Sequence, residues 1–364
     1  MDIFEELGIR RYINAQDTYT KYGASCMGAE SLRAMAEIAG SMVDLAEVQE
    51  KTGDAIAALT RNQGAYISNG AAGGLMICAA ACMALDSEEA YRALPEKGER
   101  RDIIVQRAQH NIYDKSIVAA GANLVFLGEE SVAPSEAELT NAITEKTAAV
   151  AYFIYHGRKG SLPLERVLEI AHTHGVPVIV DAAAQNPPAE NLWRFTEMGS
   201  DMVIFSGGKA LCGPQDSGLI LGRREWIARC RRWGPPADGV CRCCKTSREA
   251  MAGLYAAVKA YLSRDEEAER RRLSDACARF EQTLRACGFA RVWREEQGPV
   301  GQAFPRVFGE MPQGSAALFS EKMKSIGVYI GSDEADNVLI LNPLMLTSRQ
   351  VKEVCAALLR CHGM

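Results

Sequence analysis

The stretch DMVIFSGGKALCGPQDSG, residues 201–218, sets a run of Met, Val, Ile and Phe against a serine, two glycines and one lysine, Lys209. A short apolar run closed by glycine reads as a buried strand, and the residues after it read as a tight turn at its end. Gly207 and Gly208 remove Cβ and so let backbone or a ligand approach Lys209. Desolvation lowers a lysine's pKa and suits its amine to form a Schiff base.

Two further stretches end in the same way. VPVIVDAAAQ, residues 176–185, closes a Val/Ile strand on Asp181. An acid there is costly to bury unless it meets a cation or a proton donor, although a helix cap would also explain it. SNGAAGG, residues 68–74, lies between a strand and an apolar helix. Gly70, Ala71 and Ala72 there present unhindered N–H groups at a helix N-terminus, which favours phosphate, although a glycine turn is often only a connection.

Outward from these points the chain alternates. RDIIVQR, ANLVFLG and TAAVAYFIYH read as strands, and LERVLEIAHTHG as a helix between strands. Strands rich in Val, Ile and Leu that alternate with helices imply an α/β protein with a mainly parallel sheet covered on both faces. Two helices are expected between 29 and 61, and from about 246 the texture changes to long helices, short strands and a final amphipathic helix, TSRQVKEVCAALLRC. The expected organisation is an N-terminal arm with helices (1–60), a large α/β domain (61–245), and a linking helix with a small C-terminal α/β domain (246–364).

Composition narrows the class. The 364 residues are 48% hydrophobic and 24% charged, with a net charge of −5, which offers no broad footprint for nucleic acid. The N-terminus MDIFEELGIRRYINA has no apolar signal segment, and no window is long and apolar enough for a membrane span, so a cytoplasmic protein is expected. Twelve cysteines at this length suit reduced thiols. The densest group, VCRCCK with Cys241, Cys243 and Cys244, lacks a second spaced pair, reads as thiols in an irregular loop, and leads us to expect no metal.

A phosphate cradle, an acid and a lysine at successive strand ends together match the needs of pyridoxal 5′-phosphate, whose Schiff-base lysine works with an acid at the pyridinium nitrogen. The blocks SNGAAGG, VIVDAAAQNPPAENLWRF and MGSDMVIFSGGKALCGPQDSGLILGR resemble the selenocysteine-synthase-like branch of fold type I pyridoxal phosphate enzymes, and within it the D-glucosaminate-6-phosphate ammonia-lyase group. The resemblance implies that Lys209 carries the cofactor and Asp181 faces the pyridinium nitrogen. It further implies that Ala183 packs under the ring, that Gly70, Ala71, Ala72 and Ser206 hold phosphate, that His110 stacks on the other ring face and that Gln185 contacts the ring hydroxyl. It implies a homodimer, and an α,β-elimination from a β-hydroxy amino acid or amino-sugar acid that releases a 2-oxo acid and ammonia. Asp17, His110 and His156 are the candidate acids for the leaving group. The alternatives are a racemase, aminotransferase or aldolase acting on a small amino acid, or a transferase acting on seryl-tRNA. Gln16 and Asp17 stand where relatives usually carry glycine and threonine, so the substrate is open.

Overall fold

The computed structural model describes residues 2–154, 160–289, 291–298 and 300–362. Its strands are β1 (Ile13–Ala15), β2 (Gly64–Asn69), β3 (Asp102–Gln106), β4 (Asn123–Leu127), β5 (Thr147–Phe153), β6 (Val178–Asp181), β7 (Met202–Ser206), β8 (Ser217–Gly222), β9 (Val292–Glu295), β10 (Arg306–Glu310), β11 (Val328–Asp333) and β12 (Val338–Leu341). Contacts divide the chain into two compact units. One comprises Cys26–Ser263 with Pro299–Gly301; the other comprises Met1–Ser25, Arg264–Gly298 and Gln302–Met364.

The larger unit is built on a seven-stranded sheet in the order β2-β8-β7-β6-β5-β3-β4. The pairs from β7 through β6, β5 and β3 to β4 are parallel, and β8 alone runs against both of its neighbours. Side chains alternate across a strand, and here each face has its own core. Ile103, Val105, Ile179, Ile204 and Ile220 join one apolar cluster, while Ile104, Val180, Val203, Phe205 and Leu221 join the other. Strands buried on both faces need apolar residues at every position, which explains the unbroken Val/Ile runs.

The helix Gly70–Ala84 belongs to the first cluster and is buried at every position from Gly73 to Ala84. A helix that is apolar all round has no solvent face to keep, and this one lies within the core. On the opposite face the helices Leu45–Leu59, Leu164–Thr173 and Arg248–Leu262 contribute Ile56, Val167, Leu168, Leu254 and Val258. The helix Ala29–Ala39 packs on Arg248–Leu262, and the buried Ser31 hydroxyl donates to the Gly253 carbonyl at 2.8 Å. Thus the mainly parallel α/β architecture expected from the sequence is present.

The smaller unit has a five-stranded sheet in the order β1-β11-β12-β10-β9, antiparallel except for β1 on β11. The helices Glu266–Ala286, Ala316–Ser325 and Ser348–His362 supply Phe280, Leu284, Met323, Val354 and Leu358 to its core. The charge run in 264–272 forms the opening turns of the first of these helices, where Asp265 caps the N–H groups of Glu267 and Ala268 at 3.0 Å. Among the described residues, no helix is long and apolar enough to cross a membrane.

Candidate active site

Because β8 is antiparallel to both β2 and β7, the strands β2, β6 and β7 run in one direction and their carboxyl ends share one edge of the sheet. That edge is where ligands bind in open α/β sheets. Asp181 is the last residue of β6, Ser206 the last of β7, and Asn69 the last of β2, with Gly70 opening the helix behind it. The three stretches singled out in the sequence therefore meet at one edge.

Asp181 accepts the Ala183 N–H on Oδ1 at 2.9 Å. Burial pushes its carboxyl above the ordinary carboxylate range; the Ala183 N–H and the nearby Lys209 charge pull it down, and Asp114 adds to the upward push. A desolvated carboxylate of this kind calls for a cation or a shared proton against it.

The turn after β7 is closed by its own backbone. The Gly207 N–H donates to Ser217 O and the Gly213 N–H to Gly207 O, both at 2.9 Å, while the Cys212 N–H donates to Lys209 O at 3.0 Å. A Cβ on Gly208 would stand 2.6 Å from Gln215 Cα. The crowding beside Lys209 thus comes from residues 213–217, which fold back against the turn.

Gly70 has φ +67°, in the left-handed region, and a Cβ built there would meet nothing within 4 Å. Asn69 precedes the helix Gly70–Ala84 without capping it through its side chain. The opening N–H groups of this 15-residue helix therefore have no side-chain cap, and the space beside Gly70 is open, as an anion site requires. The desolvated acid, the lysine and the uncapped helix start fit pyridoxal phosphate in their donor chemistry: ring nitrogen, aldehyde carbon and phosphate each have a matching group.

Of the other expected residues, Ala183 lies two residues beyond Asp181, and its carbonyl accepts the Ser206 N–H at 3.3 Å, tying the ends of β6 and β7 together. Gln185 is buried and its amide donates to the Val300 carbonyl at 2.6 Å. His110, 59% exposed in its side chain, sets its ring edge-on to Phe126 at 5.0 Å between centroids and holds the Asp114 carboxylate through Nδ1. Asp17, in the smaller unit, is paired with the buried Arg306 guanidinium at 3.0 Å. His156 lies outside the described residues.

Asp114 escaped the sequence reading. It is 2% exposed, and its Oδ1 has no hydrogen-bond partner among the described residues. Its signal was the i, i+4 spacing in HNIYD, which places a carboxylate within reach of His110. Cys241, Cys243 and Cys244 also differ from the loop expected: Val240–Cys244 is a short 3₁₀ turn with Cys241 and Cys244 buried.

Comparison with known proteins agrees with this geometry. The Aminotransferase class-V family model matches residues 88–252. The D-glucosaminate-6-phosphate ammonia lyase of Salmonella typhimurium is 33% identical over 267 residues, 71% of this chain and 70% of that protein. The 5′-C-glycyluridine monooxygenase-decarboxylase of a Streptomyces species is 32% identical over 274 residues, 72% of this chain and 66% of that protein. A solved structure of D-glucosaminate-6-phosphate ammonia-lyase superposes with a TM-score of 0.85 at 26% identity, covering 100% of this chain and 98% of that one. The chain belongs to the fold type I pyridoxal phosphate enzymes, in the family that includes D-glucosaminate-6-phosphate ammonia lyase.

Proposed function

We propose that the protein is a pyridoxal-phosphate-dependent lyase that removes ammonia from a β-hydroxylated amino acid or amino-sugar acid by α,β-elimination, leaving a 2-oxo acid. The observation that carries this reading is the 33% identity, across 71% of the chain, to an enzyme named for that reaction. The cofactor, when bound, supplies an electron sink for charge developing at the substrate's Cα. Lys209 is the residue that carries it covalently and, once exchanged for substrate, the amine that takes the Cα proton. Asp181 keeps a proton on the pyridine nitrogen, a role that its desolvated carboxylate favours because that proton offsets the burial. Gly70, Ala71 and Ala72 hold phosphate through their N–H groups and Ser206 through its hydroxyl, with Ala183 and His110 on the two ring faces. Gln185 reaches the ring hydroxyl.

Loss of hydroxide from Cβ needs a proton, for which His110 and His156 remain candidates; Asp17 is held by the Arg306 guanidinium. Water lost across Cα–Cβ is regained when the released enamine hydrolyses, so the net products are ammonia and the 2-oxo acid. We further propose a homodimer in a reducing cytoplasm, supported by twelve cysteines that are all free thiols. The net charge of −5 speaks against seryl-tRNA as substrate.

The test is a panel of β-hydroxy amino acids and amino-sugar acids, with and without phosphate and including D-glucosaminate 6-phosphate, assayed without oxygen for ammonia and 2-oxo acid together. Equal release of both is expected, lost in Lys209→Ala, whose borohydride-treated protein carries no cofactor adduct. Ammonia release that requires oxygen and yields carbon dioxide would instead favour chemistry like that named for the Streptomyces relative. Amino transfer to an added 2-oxo acid, or inversion at Cα alone, would equally overturn the lyase reading.

A further inference from the structure

Outside the cofactor site, three sulfur atoms from two elements of the larger unit converge. Met76 lies in the second turn of the helix Gly70–Ala84 and is 8% exposed. The 3₁₀ turn Val240–Cys244 lies against it, with Cys244 Sγ 3.4 Å and Cys243 Sγ 3.8 Å from Met76 Sδ, and 4.0 Å between the two thiols. We propose, against the expectation of no metal drawn from cysteine spacing alone, that Met76, Cys243 and Cys244 form a binding site for a soft monovalent d¹⁰ cation, Cu(I).

The triangle sets the size of the ion. A point equidistant from three sulfurs spaced 3.4, 3.8 and 4.0 Å apart lies about 2.2 Å from each, close to the ~2.3 Å that zinc, another d¹⁰ ion, keeps from a thiolate. The donor set selects its chemistry. Two thiols and a thioether suit Cu(I), which accepts low coordination by soft sulfur, whereas zinc seeks four nitrogen, sulfur or oxygen ligands. Among the described residues, no group of three His, Cys, Asp or Glu side chains could hold a metal, so nothing nearby completes a zinc tetrahedron.

Access and charge are also suitable. Cys243 is exposed and gives an entry, while Cys244 is 4% exposed and closes the inner side. Binding releases both thiol protons to solvent; two thiolates, one neutral thioether and one monovalent cation leave a net charge of −1. A disulfide would require the sulfurs to close from 4.0 Å to about 2.05 Å.

The reduced, cofactor-loaded protein should be titrated with Cu(I) against a chromogenic chelator in the absence of oxygen. Wild type is expected to withdraw one equivalent, with a thiolate-to-copper absorption band, that Cys243→Ser leaves with the chelator. Met76→Leu should weaken uptake roughly tenfold or more, and Cys26→Ser, at another exposed thiol, should leave it unchanged. Equal uptake by wild type and Cys243→Ser would overturn the site, as would loss of uptake in Cys26→Ser. Cys243 is exposed, so its serine variant tests the site without disturbing the core; cofactor absorbance and far-UV circular dichroism report that the fold is kept.

Discussion

Burial raises the Asp181 carboxyl, and the role proposed for it, a proton shared with the bound cofactor, would offset that cost. Its pKa in the folded chain is raised by burial, so from the ordinary carboxylate range up to the raised value the folded state binds more protons than the unfolded state. Stability of the cofactor-free protein therefore falls as pH rises through that window. Asp181→Asn has no such titration. Urea unfolding of the two cofactor-free proteins should show the difference growing in the variant's favour from about pH 4 upward, by about 1.4 kcal/mol for each unit that the native pKa is raised. Parallel pH profiles would refute this account of the carboxylate. Under the proposed role the order should reverse with cofactor bound, because only the carboxylate can share a proton with the ring nitrogen. Asp181 and Lys209 were legible in the sequence because each breaks an apolar strand pattern at its end. Asp114 was not: in HNIYD it sits among polar and exposed residues such as Ile112 and Tyr113, and only the fold shows that its side chain turns inward to His110.

Among the elements, β8 did most to place the site and was the least legible. SGLILG, residues 217–222, carries a serine and two glycines in six positions, which weakens its strand pattern, and it is not among the strands expected from the sequence. The parallel strands showed themselves by their Val/Ile runs; β8 is a strand because residues 213–217 return the chain between β7 and β2. Its Gly218 pairs with Ser68, and a Cβ there would overlap the Gly70 carbonyl group and lie 2.6 Å from Ser68 Oγ. Gly218 is thus required by the close approach of β8 to Gly70, the first residue of the helix proposed to hold phosphate. Gly218→Ala should destabilise the protein by about 1–3 kcal/mol and weaken cofactor binding, since relief of the overlap must move Gly70. Gly40→Ala, where the nearest atom to a new Cβ is 3.9 Å away, is the control. Equal effects of the two changes in thermal unfolding and cofactor titration would show that the β8 contact does not position the helix.

For the whole molecule, charge and composition pointed to an acidic globular protein without a nucleic-acid footprint, but self-association does not follow from composition and has to be argued from surface. The larger unit fills both faces of its sheet with buried clusters, so apolar side chains left outside are not needed by its own core. Its first helices and the segment between them leave Leu32 51% and Met42 93% exposed, with Val43 and Leu59 also exposed. Scattered single apolar residues on a surface are ordinary; here four fall within residues 32–59, and lasting subunit interfaces are apolar. This supports the proposed homodimer through the region 29–61. Sedimentation velocity should find a species of twice the 39.6 kDa chain mass at working concentration. Replacing Leu32 and Met42 together by Glu should shift it toward the monomer, because burying two unpaired carboxylates in each copy opposes association. Neither side chain contributes to the core, so the variant monomer should keep its far-UV circular dichroism. A wild-type chain that is monomeric and fully active would end the dimer proposal, and a double variant that stays dimeric would move the interface elsewhere on the surface.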